Sequence, residues 1–192
     1  MGTSALMDII GSTFIMGILI LAVVAVNASV SDWTFGSTST LNAQTNAVEV
    51  ARLIEWDFLK IGYAVPDILP KISLADSTQL TFYADLDRKG TIDTVRYYTK
   101  NPVSRVGLNP NTFVLYRLTN SEPEAGSNLG MTLFRLAYYD SLGNKLSMPV
   151  TTPARIRSIE AAFMVESIIP SMEGDTTYPG AYWEKRIYPR NL

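Results

Sequence analysis

Residues Ile9–Ser31 read IIGSTFIMGILILAVVAVNASVS, a stretch bounded by Asp8 and Asp32 with no charged side chain inside it. As an α-helix rising about 1.5 Å per residue, it spans about 30 Å, the thickness of a bilayer's hydrocarbon core. Two other readings compete with a retained membrane helix. A cleaved secretory signal ordinarily begins with basic residues and carries a shorter apolar run. A helix buried in a soluble core is the second. The first basic residue of this chain is Arg52, and the run is long, so a retained membrane-length helix is the expectation. Neither flank carries Lys or Arg, so the positive-inside rule gives no orientation. Size alone, with seven residues ahead of Asp8, puts the carboxy-terminal bulk on the exported side.

Within this helix Gly11 and Gly17, beside Ser12 and Thr13, are small enough to let another helix backbone approach closely in lipid. Asp8 stands at the edge of the apolar run, where a carboxylate is costly unless it stays at the interface or finds a partner. Two roles are open to it: lying among head groups, or pairing with the amino terminus of a neighbouring subunit.

Residues 33–46, Trp-Thr-Phe-Gly-Ser-Thr-Ser-Thr-Leu-Asn-Ala-Gln-Thr-Asn, contain mediocre helix formers but no Pro. They read as a flexible linker or as a weak length of one continuous helix. The next segment favours the helix. Ala47, Val50, Ala51, Ile54, Phe58 and Ile61 recur at steps of three and four, an apolar stripe of helical period. Glu49, Arg52, Asp57 and Lys60 are read as lying off that stripe, with Glu49 and Arg52 one turn apart and able to pair. Gly62 suits a carboxy-terminal cap, with Pro66 beyond it. A helix of nearly sixty residues is expected, apolar all round in its first half and apolar on one side in its second.

After Pro70 the period changes to two. Strands are expected at Leu80–Ala84, Thr94–Thr99, Thr112–Leu118, Met131–Tyr139 and Ile159–Ser167, with a turn at Ser141–Asn144. Gly126 and Gly130 flank what reads as an exposed polar loop, Glu122–Asn128. Short strands joined by turns indicate an antiparallel sheet, and the stripe of residues 47–61 is its natural cover. The expected fold class is α+β. Its divisions are a hydrophobic helix over 1–32, an amphipathic continuation over 33–62 and an antiparallel β-sheet domain over 63–192.

Composition excludes several chemistries. Of 192 residues, 47% are hydrophobic and 18% charged, and the net charge of -2 leaves no electrostatic footprint for nucleic acid. With no Cys and no His there is no thiol nucleophile, no Ser-His triad and no zinc site of Cys or His ligands. No nucleophile–base pair can be named, so an enzyme is not expected and no cofactor is called for. One stretch resembles the start of a calcium loop: Asp85, Asp87 and Asp93 around Gly90. Lys89 occupies a ligand position and Arg96 the place of the closing Glu, so a tight Asp- and Gly-based hairpin turn is the simpler account, with a weak calcium site as the other. The carboxylate pairs Asp85 with Asp87 and Glu122 with Glu124 read as exposed loop charges. Tyr97-Tyr98 and Tyr138-Tyr139 read as strand residues.

The order of these features resembles the type IV pilin and pseudopilin superfamily. An apolar helix runs into an amphipathic half and then an antiparallel sheet. Leu53-Ile54-Glu55-Trp56-Asp57-Phe58-Leu59-Lys60-Ile61-Gly62-Tyr63 is similar to the helix end of the larger minor pseudopilins and minor pilins. The Asp85–Tyr97 hairpin, the Tyr138–Gly143 turn, the Ile156–Ser167 strand and the ending Tyr188-Pro189-Arg190-Asn191-Leu192 are similar too. The pattern departs at its start. Family members carry a basic leader cut before a Phe, with Glu at the fifth mature position, whereas here Ala5 stands fifth and Asp8 is the acidic residue available. The resemblance implies a structural subunit of a pilus-like filament or secretion pseudopilus, membrane-anchored before assembly and extracellular or periplasmic afterwards. Its partners would be copies of itself or related pilin-like subunits, together with inner-membrane assembly machinery. Asp8, Gly11, Phe14, Gly17, Ile18 and Leu21 would face the helix–helix core. The rival expectation is a membrane-tethered periplasmic binding or assembly module that never polymerises.

Overall fold

Gly2–Leu59 form one uninterrupted α-helix, α1, in a computed structural model that describes residues 2–100, 108–120, 126–170 and 177–192. The chain divides into two compact units, Met1–Thr38 and Ser39–Leu192, with α1 running through the boundary. The Ser- and Thr-rich segment is helical throughout. The Thr34, Thr38 and Thr45 hydroxyls each donate to the carbonyl four residues back, at 2.8, 2.9 and 2.9 Å. Hydroxyls committed to the preceding turn no longer offer the backbone an alternative to the helix, which is what makes them weak formers elsewhere.

The second unit is a helix-covered antiparallel sheet. Its seven strands are β1 (Ile72–Ala75), β2 (Gln79–Ala84), β3 (Asp93–Thr99), β4 (Phe113–Thr119), β5 (Gly126–Tyr139), β6 (Ser158–Glu166) and β7 (Gly180–Ile187). They pair in chain order, so every neighbour in sequence is a neighbour in space. The whole expected stripe, Ala47 to Ile61, is buried, and Ala43 extends it by one turn. Phe58 sits edge-on to Phe82 of β2 and Tyr97 of β3, with ring centroids 6.2 and 5.6 Å apart. The fold class is therefore α+β, and the core lies between the second part of α1 and one sheet face.

Four expectations need correction. Asp57 is not off the packed face but 1% exposed. It follows Ile54 by three residues and precedes Ile61 by four, so helical geometry places it within the stripe. Glu49 and Arg52 are both exposed, and no ion pair joins them among the described residues. Gly126 opens β5 rather than bounding a loop, and Glu122 and Glu124 lie outside the described residues. Finally, residues 85–92 form a loop between β2 and β3, longer than a tight hairpin, with Asp85 buried at 4% exposure.

Two glycines carry conformations that no other residue takes without strain. Gly62 (φ +78°) turns the chain out of α1 and donates its N–H to the Tyr83 carbonyl at 2.9 Å, tying the helix end to β2. Gly130 (φ +79°) lies so close to β6 that an added Cβ would meet the Glu166 carbonyl oxygen at 2.1 Å.

Candidate assembly surface

The first unit presents an apolar surface that nothing covers among the described residues. From Leu6 to Phe35 its large apolar side chains are 51–78% exposed. The polar groups set among them are partly hidden by the helix itself: Ser12 and Thr13 both donate to the Ile9 carbonyl, at 2.9 and 2.8 Å. This helix is long and apolar enough to cross a membrane, which makes it a candidate anchor.

The residues expected at a helix–helix core fall on one side of it. At about 100° per residue, Gly11, Phe14, Ile18 and Leu21 share an arc of about 80°, with Asp8 flanking one edge and Gly17 the other. Phe14, Ile18 and Leu21 are 70, 52 and 69% exposed. Nothing lies within 4 Å of the Cβ position at Gly11 or Gly17, so both backbones are open to a neighbour. Asp8 is exposed and makes no ion pair among the described residues.

The second unit contains a polar clasp between helix and sheet. Asp57 accepts from Arg117 Nε at 2.6 Å and Nη2 at 3.2 Å, and from Tyr97 Oη at 2.5 Å. Arg117 and Tyr97 come from β4 and β3, whose register sets them directly opposite each other. Sequence reasoning missed this group, although the position of Asp57 between Ile54 and Ile61 was its signal. Burial holds the Tyr97 phenol well above its usual value of 10, and the Asp57 carboxylate adds to the effect. Burial raises Tyr138 in the same way. The folded state thus keeps both protons longer than the unfolded chain does. That contribution is fully present below about pH 10 and is lost as pH rises towards the folded values. In an absorbance titration at 295 nm, these two phenols are expected to ionise only together with loss of the fold. Full phenolate absorbance with the sheet intact would contradict this.

The three aspartates of the loop and of the start of β3 do come together. Carboxylate oxygens of Asp85, Asp87 and Asp93 lie within 4.8 Å of one another. Each already receives donors from the loop. Asp85 accepts the N–H groups of Lys89 and Gly90 at 3.2 and 2.9 Å, and Asp93 accepts Leu86 N–H at 3.0 Å and Asn120 Nδ2 at 2.7 Å. Asp87 accepts Lys89 N–H at 3.1 Å and pairs with its Nζ at 2.7 Å, and that contact holds the Asp87 carboxyl below its usual range. These carboxylates shape the turn, in keeping with Arg88 and Gly90 both taking left-handed backbone.

No family model, curated protein or solved structure matches this chain.

Proposed function

We propose that this protein is a structural subunit of a type IV pilus-like filament or secretion pseudopilus, anchored in a membrane by α1 until neighbouring subunits take the place of lipid around it. The observation that carries the reading is the exposed apolar surface of the helix between Leu6 and Phe35, joined without a break to a folded sheet domain. Burying one Leu, Ile, Val, Phe or Met side chain contributes about 1.5–3 kcal/mol, so a surface of this kind is worth tens of kcal/mol to whatever covers it, before ordering costs. Lipid covers it in a membrane; outside one, other copies of the same helix do. A stagger between identical subunits is a heterologous contact that does not close, and such contacts propagate into filaments. Asp8 then meets the amino terminus of an adjacent subunit, and the sheet domain faces outward.

Electron microscopy of sheared surface material with peptide identification tests this directly. Filaments containing the chain are the expected result, while recovery only in detergent-extracted membranes would indicate a tethered module that never polymerises. In the filament reading Asp8→Ala leaves membrane insertion intact and lowers filament yield by about tenfold or more, because truncating one partner of a desolvated charge pair costs about 2–5 kcal/mol. Normal yield from that variant would remove Asp8 from the mechanism.

A further inference from the structure

Asn27 is the one carboxamide between Asp8 and Asp32, and its side chain is exposed on α1 without a hydrogen bond among the described residues. Ile20 is the midpoint of the uncharged run, and Asn27 lies seven residues on, about 10 Å along the axis. That is inside the roughly 15 Å half-thickness of a bilayer core. A carboxamide has two donors and two acceptor lone pairs, and hydrocarbon satisfies none of them.

Thr13, Gly17, Ile20, Val24, Asn27, Ser31, Thr34 and Thr38 follow one another at alternating steps of four and three, the seam spacing of paired helices. Thr13, Gly17, Ser31, Thr34 and Thr38 keep this seam small or hydroxylated, but Gly11, Ala22, Ala25, Ser29 and Gly36 do the same on the opposite side, so the carboxamide is what sets this face apart. The Thr13, Thr34 and Thr38 hydroxyls donate to their own helix, so they add little bulk and no unsatisfied donor. Asn27 and Ser31 make no such bond among the described residues, but Ser31 lies about 16 Å from the midpoint, at the edge of the core. The needs of Asn27 are those of another Asn27: an amide is complementary to itself. Copies of one chain inserted with the same orientation bring that residue to the same depth.

We infer that two copies of this chain pair in register within the bilayer along the Asn27 face of α1, with their Asn27 carboxamides hydrogen-bonded across the seam. The inference rests on the membrane-anchor reading but not on filament formation. It specifies a partner (a second copy), an orientation (parallel) and a register (Asn27 opposite Asn27). One buried Asn in an otherwise apolar seam sets register in paired helices. In lipid the same group also supplies part of the association energy.

The natural absence of cysteine makes the test free of background. Single variants Ile20→Cys and Ser31→Cys on this face, and Ser29→Cys on the opposite one, are made in the full chain and oxidised in membranes with copper phenanthroline. Each is repeated with Asn27→Leu and with Asn27→Gln, and carbonate extraction records membrane insertion. Disulfide-linked dimer is expected from Ile20→Cys and Ser31→Cys but not from Ser29→Cys. Asn27→Leu is expected to weaken association by about 3- to 30-fold, and Asn27→Gln to preserve it. Equal cross-linking on both faces, insensitivity to Asn27→Leu, or cross-links only to other proteins would overturn the inference while the anchor reading stands, provided the chain resists carbonate. A chain that carbonate releases from the membrane would overturn both.

Discussion

Cut back to residues 33–192, the chain is expected to stay in the supernatant without detergent and to keep its sheet, whereas the full chain requires membranes or micelles. The side chains that build the core begin at Ala43 and end at Ile187, so removing residues 1–32 takes away no core contact. What it removes is the apolar surface that water solvates poorly. Exposed apolar residues do remain on the outward side of α1, notably Val48, Leu53 and Trp56 at 48, 43 and 60%. Arg52 and Glu49 interrupt them, and scattered apolar exposure of this kind is ordinary for soluble proteins. Ultracentrifugation and circular dichroism decide the matter. Precipitation of the shortened chain, or loss of its β signal, would mean that the first unit is part of the fold and not an appendage to it.

The second large effect concerns the clasp, and it is asymmetric. Asp57 is 1% exposed on its side chain and Arg117 is 30% exposed. Removing the guanidinium by Arg117→Met strands a carboxylate in the core with only the Tyr97 hydroxyl as donor, and breaking a buried pair in this way costs about 3–5 kcal/mol. Asp57→Asn is expected to cost less, because the amide still accepts from Tyr97 and Arg117 can turn towards water. Asp57→Leu combined with Arg117→Met recovers most of the loss, since a well-packed apolar pair replaces two desolvated charges. Urea unfolding of the shortened chain reads these differences as shifts in midpoint at unchanged slope. Equal costs for the two single substitutions would show that Asp57 is far better hydrated than its burial implies.

The parts of the fold that were legible in sequence are those where one period dominates. The stripe Ala47, Val50, Ala51, Ile54, Phe58 and Ile61 repeats at helical spacing and is buried throughout; Leu80–Ala84 alternates and, like Thr94–Thr99, forms an interior strand. β1 and β7 were not legible. β1 is only four residues long, and β7 sets Glu184, Lys185 and Arg186 side by side, which hides the alternation. Both lie at the sheet's edges, where short length and charge are what protect unpaired backbone. Asp57 was misjudged because a charged side chain on an apolar stripe is normally an error of register. Here two strands distant in sequence supply its donors.

Residue order alone therefore determined the main elements: a long, mostly apolar run without charge makes a surface that water solvates poorly, and a change of period from 3.6 to two makes a helix followed by a sheet. Those are local properties, written within a turn or a strand. Which charges the core admits, which aspartates line one loop, and where an edge strand lies were decided only by the tertiary structure. Each depends on groups such as Asp57 and Arg117, or Asp93 and Asn120, that folding brings within hydrogen-bonding distance across dozens of residues.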